Sequence, residues 1–144
     1  MEIKNLKVQH IEQVYQISTQ QFENESWTKK QIQDSIESQT NICLGVFEDD
    51  DLVSYAISQD SLDDINLLLI ATKQSHKNKG YAKLLMQYLD DMSTNQNKTF
   101  SLEVKNTNTV AIGLYQKFGF KTVHIRKKYY KDGADALIMF KQKV

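Results

Sequence analysis

Apolar positions along the chain change period several times, and the changes mark out the elements. Glu2 to Val8 alternates loosely and predicts a short strand. Ile11, Val14, Tyr15 and Phe22 follow at i, i+3, i+4 spacing, so Gln9 to Glu23 reads as a helix. Thr28-Lys29-Lys30-Gln31 has the form of a capping box, in which hydroxyl and amide side chains each satisfy an orphan backbone N–H, and it predicts a second helix start. From Ile42 the period becomes two. Ile42, Leu44 and Val46 share a face, Glu48-Asp49-Asp50-Asp51 supplies a turn, and Leu52 to Gln59 returns as the second arm of a hairpin. Beyond the acidic turn at Asp60 to Asp64, the run from Ile65 to Ala71 is apolar enough to predict a central strand covered on both faces. Gly80 opens a long helical pattern with Tyr81, Leu84, Leu85, Tyr88, Leu89 and Met92 on one stripe. Thr99 to Val104 predicts a strand, and Asn106 to Phe118 a helix stopped by Gly119. Phe120 to Tyr130 and Ala134 to Lys141 form a last strand pair. The order β-α-α-β-β-β-α-β-α-β-β predicts an α/β (α+β) fold, a mixed central β-sheet flanked by helices, in a single domain over residues 1–144.

Composition narrows the function classes. Eighteen basic side chains balance eighteen acidic ones, so no global field points to nucleic acid or a membrane surface as partner. The single cysteine, Cys43, excludes an intramolecular disulfide and a Cys-based zinc cluster, and its apolar strand context predicts a core position. His10, His76 and His124 lack metal-ligand spacing, so no metal is expected. No apolar run reaches ~18 residues and the first residues lack a signal-peptide core, so the expectation is a soluble cytoplasmic protein. Proline is absent, where about seven would be average at ~5% usage, and Arg126 is the only arginine.

Candidate chemistry gathers first at the turn from strand to helix, Ile70-Ala71-Thr72 through Lys77-Asn78-Lys79-Gly80-Tyr81-Ala82-Lys83. A helix start offers unpaired N–H groups and the positive end of a dipole, which suits a phosphate. The spacing matches neither a Rossmann fingerprint nor a Walker A loop. On spacing alone, a plain turn with a solvated lysine face accounts for it equally well.

The second block is Leu102-Glu103-Val104-Lys105 followed by Asn106 to Phe120, with Asn108, Ala111, Leu114-Tyr115 and Gly119-Phe120 at fixed spacings. Together with the Lys77–Ala82 loop it resembles the GNAT family of acetyl-CoA-dependent N-acetyltransferases, over nearly the whole chain. Within that family, three features look like the ribosomal-protein-alanine N-acetyltransferases (the RimI-like group). They are the Leu-Glu-Val-Lys strand, the segment Arg126-Lys127-Lys128-Tyr129-Tyr130, and Asp135-Ala136-Leu137-Ile138-Met139.

The resemblance implies acetyl-CoA as co-substrate and a set of roles. Lys77, Asn78, Lys79, Gly80, Tyr81, Ala82 and Lys83 would hold the pyrophosphate, Ile70, Ala71 and Thr72 the pantetheine and thioester carbonyl, and Asn108 another part of the coenzyme. Glu103 resembles the general base and Tyr115 the general acid. Each also has a structural reading: Glu103 as a solvent-facing strand residue, Tyr115 as part of an apolar stripe with Val110, Ala111, Leu114 and Phe118, and Asn108 as an N-cap. Trp27 and Tyr130 are candidates for the acceptor side; packing against the capping box is the other reading of Trp27. The family's Gln or Arg before the loop is Lys77 here, which keeps a charge and loses a bidentate fork. The acceptor implied is a protein N-terminus, such as that of a ribosomal protein. A small-molecule amine acetyltransferase and a coenzyme A-binding interaction module are the rival readings, and the sequence leaves the oligomeric state open.

Overall fold

The computed structural model describes residues 1–23 and 26–141. Its strands are β1 (Glu2–Asn5), β2 (Asn41–Glu48), β3 (Asp51–Asp60), β4 (Asp64–Thr72), β5 (Thr99–Lys105), β6 (Lys121–Arg126) and β7 (Ala136–Lys141). The helices are α1 (Ile11–Phe22), α2 (Lys29–Glu37), α3 (Tyr81–Asn95) and α4 (Thr109–Lys117), with short 3-10 turns at Val8–His10 and Gln74–His76. The seven strands make one mixed sheet in the order β1-β2-β3-β4-β5-β7-β6, with β4 and β5 parallel. This is the α/β architecture that the alternating periods predict.

The chain forms two compact units, and two elements divide between them. Residues 1–60 and 68–88 make the first; residues 61–67 and 89–144 make the second. β4 and α3 each contribute one part to each unit.

In the first unit, β1 pairs with β2 and β2 with β3, all antiparallel. Glu48 is paired with Asp51 across the two-residue turn. Leu6, Val14, Ile17, Ile32, Phe47, Leu52, Tyr55 and Ile57 form its apolar core, together with Cys43 and Ala71. Burial pushes the Cys43 thiol up to about 11, which keeps it a neutral apolar filler, as its strand context predicts. Tyr55 sits in the same core with its hydroxyl hydrogen-bonded to Ser18, and burial pushes its phenol up to about 12. The capping box at α2 forms as the sequence requires. Thr28 Oγ1 accepts from Gln31 N–H at 3.1 Å, and Gln31 Oε1 accepts from Thr28 N–H at 2.8 Å. Trp27, one residue before the cap, packs on the core cluster that contains Ile32, which is the arrangement of a hydrophobic staple.

In the second unit, the parallel ladder pairs Asp64–Leu67 with Thr99–Leu102. β5 continues against β7, and β7 against β6, both antiparallel. Phe100 and Phe120 meet edge-on at 5.0 Å, with Tyr115 6.0 Å from Phe120. Gly119, at φ 94°, ends α4 in the left-handed conformation expected of a C′ residue.

Four readings of the pattern change. The first strand stops at Asn5, and Val8–His10 forms a 3-10 turn. The stripe of α3 is rotated: Leu85, Met86 and Leu89 are buried with Asp90 and Ser93, whereas Tyr88 is 45% exposed. The sequence places two overlapping apolar stripes on this helix, and nonlocal packing selects between them. In α4, Tyr115 is buried but Val110, in the first turn, is 85% exposed. In β4, Ile65, Leu67 and Ala71 are buried while Leu68 is 36% exposed. Leu68 is the first residue past the ladder with β5, and burial on both faces is not sustained there.

Candidate active site

The sequence-predicted residues fall into two groups, one in each unit. The first lies along the second half of β4 and the start of α3. Ser54 Oγ donates to the Ala71 carbonyl at 3.0 Å and lies 2.9 Å from Thr72 Oγ1, while Lys73 N–H donates to the Val53 carbonyl. This end of β4 is therefore held by β3. β4 runs five residues beyond its ladder with β5, so the Ile70–Thr72 backbone is not committed to that partner.

After the Gln74–His76 turn the chain makes a four-residue loop, Lys77–Gly80, and enters α3. Asn78 at φ 65° and Gly80 at φ 85° put two left-handed residues into this loop. Alternating handedness of this kind turns successive N–H groups toward one side and makes a concavity for an anion. Gly80 also gives the chain a residue with no Cβ penalty at the point where α3 begins. Leu84 N–H donates to the Gly80 carbonyl, so the amides of the preceding turn have no partner within the helix. Lys77, Lys79 and Lys83 are all exposed around it. The arrangement fits a pyrophosphate, by dipole, by amides and by charge.

Two side chains outside the predicted set, Glu48 and His76, hold this loop together with Tyr81. Glu48, at the end of β2, accepts from His76 Nε2 at 2.9 Å through Oε1 and from the Tyr81 hydroxyl through Oε2. In the neutral ring His76 Nδ1 then accepts from Ser75 Oγ at 2.8 Å. The bonds from Tyr81 and His76 hold the Glu48 carboxyl below its ordinary range, and the same carboxylate raises the Tyr81 phenol. The acidic turn at Glu48 reads in the sequence as a solvated tip, and His76 as a scattered histidine. They stand 28 positions apart, and the chain between them carries no local signal of the contact.

The second group lies on β5, α4 and the β6–β7 connection. Leu102 and Val104 are buried and Glu103 between them is only partly so, as strand alternation predicts. Glu103 Oε2 lies 3.7 Å from Arg126 Nη1, so the one arginine of the chain sits on the candidate base. The Arg126 guanidinium in turn lies over the Tyr129 ring at 5.5 Å. Tyr129 and Tyr130 meet edge-on at 5.2 Å, and Lys105 Nζ lies 5.3 Å over the Tyr130 ring while pairing with Asp132 at 2.5 Å. Asp135 accepts from Lys128 N–H and Lys127 Nζ, which fixes the connection at its base. Asn108 caps α4, with Oδ1 accepting from Ala111 N–H at 3.2 Å, so its amide NH2 remains for another partner. Tyr115 is 5% exposed, and burial alone pushes its phenol up to about 12.

Among the described residues, no group of three or more His, Cys, Asp or Glu side chains is placed to hold a metal ion. No helix among them is long and apolar enough to cross a membrane.

In the first unit, an anion-binding helix start after a strand that outruns its parallel partner suits a phosphate-bearing carrier; in the second, a carboxylate on β5 and a phenol on α4 are groups of the kind that move protons in acyl transfer. The chain belongs to the acetyltransferase (GNAT) family, whose family model matches residues 11–120. It is an acetyl-CoA-dependent N-acetyltransferase, as its resemblance implies. Among its relatives is the ribosomal protein bS18-alanine N-acetyltransferase of Salmonella typhimurium, 35% identical over 67% of this chain and 68% of that protein. A Bacillus subtilis protein, provisionally given the same name, is 31% identical over 96% of this chain and 93% of its own length. The crystal structure of the ribosomal-protein-S18-alanine N-acetyltransferase from Escherichia coli matches with a TM-score of 0.89 at 27% identity. It covers 99% of this chain and 95% of that one.

Proposed function

We propose that the chain, acting as one catalytic domain in the cytoplasm, transfers the acetyl group of acetyl-CoA to the N-terminal α-amine of a protein, an alanine-initiated ribosomal protein in particular. The observation that carries the acceptor is similarity to relatives named for that substrate, over 96% of this chain in one and 67% in another. The chemistry of the site agrees with it. An α-amine has a pKa of about 7.7–8.0 against about 10.4 for lysine, so its lone pair is freed more readily than a lysine's near neutral pH.

The roles follow from the two groups of residues. Lys77, Asn78, Lys79, Gly80, Tyr81, Ala82 and Lys83 receive the pyrophosphate, through the first amides of α3 and the surrounding lysines. The backbone of Ile70, Ala71 and Thr72 holds the pantetheine and offers an N–H to the thioester carbonyl, stabilising the oxyanion that develops there. The amide NH2 of Asn108 binds the coenzyme while its oxygen caps α4. Glu103 accepts the proton of the acceptor ammonium, and Arg126 orients its carboxylate. The amine lone pair then forms the C–N bond, the C–S bond breaks and Tyr115 gives its phenolic proton to the departing sulfur; the nitrogen loses its second proton to solvent, Glu103 returns its own to solvent and Tyr115 regains one, leaving a neutral amide and a free thiol. Trp27 and Tyr130 offer aromatic surface to the acceptor chain. Transfer is direct: Cys43, the one thiol, is buried and inert, so no acyl-enzyme forms on it.

The test is a panel of peptides varied at the first residue, alongside polyamines and free amino acids, with release of free thiol from acetyl-CoA as the readout. Turnover with Ala-initiated peptides is the expected result. Turnover with small amines alone replaces the acceptor, and coenzyme A binding without turnover on any amine makes the chain an interaction module.

A further inference from the structure

The contact between Glu48 and the loop does more than decorate the surface. Glu48 is the last residue of β2 and is fixed by its pairing with Asp51 across the tight turn, so its backbone is anchored in the sheet. Its two carboxylate oxygens go to residues on opposite sides of the Lys77–Gly80 loop, His76 at the end of the preceding 3-10 turn and Tyr81 at the start of α3. Only four residues separate those two attachment points, two of them left-handed. Among the described residues no backbone hydrogen bond closes this loop on itself; Lys77 N–H points back to Gln74, and the Gly80 carbonyl is taken by Leu84.

We propose that Glu48 is a positioning residue for the phosphates of acetyl-CoA, a clamp that ties both ends of the Lys77–Gly80 loop to β2 and holds its amides in the binding geometry. The inference rests on the reading that this loop holds the pyrophosphate. A loop pinned at both ends has already lost the conformational freedom that phosphate binding would otherwise remove, so the cofactor binds more tightly. Both oxygens of the carboxylate are turned to His76 and Tyr81, so its negative charge is engaged within the loop's own framework. The field of Lys79 adds to that neutralisation. Without those partners a carboxylate beside a phosphate site would repel the ligand.

A role confined to the phosphates separates a clamp from a general structural effect. S-acetylpantetheine carries the same thioester and lacks the pyrophosphate, so its use does not depend on the loop. For Glu48→Ala the ratio of kcat/KM for acetyl-CoA to that for S-acetylpantetheine should fall about tenfold, the effect of losing a charged hydrogen bond. Tyr81→Phe, which removes one hydroxyl, should give part of that fall and nothing further in the Glu48→Ala background. Glu48→Gln, whose oxygen still accepts from Tyr81, should recover part of it. If Glu48→Ala fails to fold, Tyr81→Phe carries the test alone. An unchanged donor ratio in Tyr81→Phe and Glu48→Ala, or equal losses on both donors, overturns the clamp. The paired variant Lys77→Ala/Lys79→Ala separates the two levels. If it leaves the donor ratio unchanged, the pyrophosphate reading of the loop falls and the clamp with it. If it lowers the ratio while Glu48→Ala does not, only the clamp falls.

Discussion

In the proposed role Tyr115 must hold a proton until the thiolate departs. Burial pushes its phenol up to about 12, so it holds its proton across the whole neutral range. In that role the acid form is the active one; it is present below the folded pKa and is lost only as pH rises through about 12. Removing the hydroxyl with Tyr115→Phe should lower kcat by about a hundredfold or more and leave KM for acetyl-CoA within about twofold, read from steady-state kinetics. The kcat profile of the wild-type protein should show no alkaline fall attributable to this residue below pH 11. The positions of Glu103 and Tyr115 were legible because each lies on a regular element at a recognisable spacing. Glu48 was not, because its partners lie 28 and 33 residues away and meet only when β2 and the start of α3 are in place.

At the scale of elements, what was local was read correctly and what depended on a partner was not. The α2 capping box, the hairpin turn after Glu48 and the Gly119 stop are decided within a few residues, and the structure has them as the sequence implies. The phase of the α3 stripe and the burial of β4 depend on what packs against them, and both shifted. Asp90 shows the cost of that shift. The face of α3 that is buried carries a carboxylate, which pairs with Lys141 of β7 at 2.6 Å while its other oxygen is buried with no hydrogen-bond partner among the described residues. Replacing Lys141 by Met leaves the charge uncompensated and should destabilise the fold by about 3 kcal/mol in urea denaturation. Adding Asp90→Asn to that variant should recover a large part of the loss, since the double change removes the charge as well as its partner.

At the scale of the whole molecule, balance of charge is the dominant property. With 18 acidic and 18 basic residues and a sequence pI of about 6.8, the protein carries almost no net charge near neutrality. Colloidal repulsion is therefore weakest there, and turbidity against pH should place the solubility minimum close to pH 7, with recovery on either side. Proline is absent and arginine nearly so; the Lys77–Gly80 loop carries lysine, and the one arginine stands beside Glu103. The division of β4 bears on how the chain is made. The first unit has all of its sequence once Tyr88 has left the ribosome, but Ser61–Leu67, embedded in the same stretch, belongs to the second. Ile65 and Leu67 then wait for Phe100 and Leu102, and the last strand they depend on ends at Lys141. At about 5–20 residues per second, the nascent chain carries an apolar half-strand without its parallel partner for several seconds, which makes that segment a natural target for a chaperone during translation.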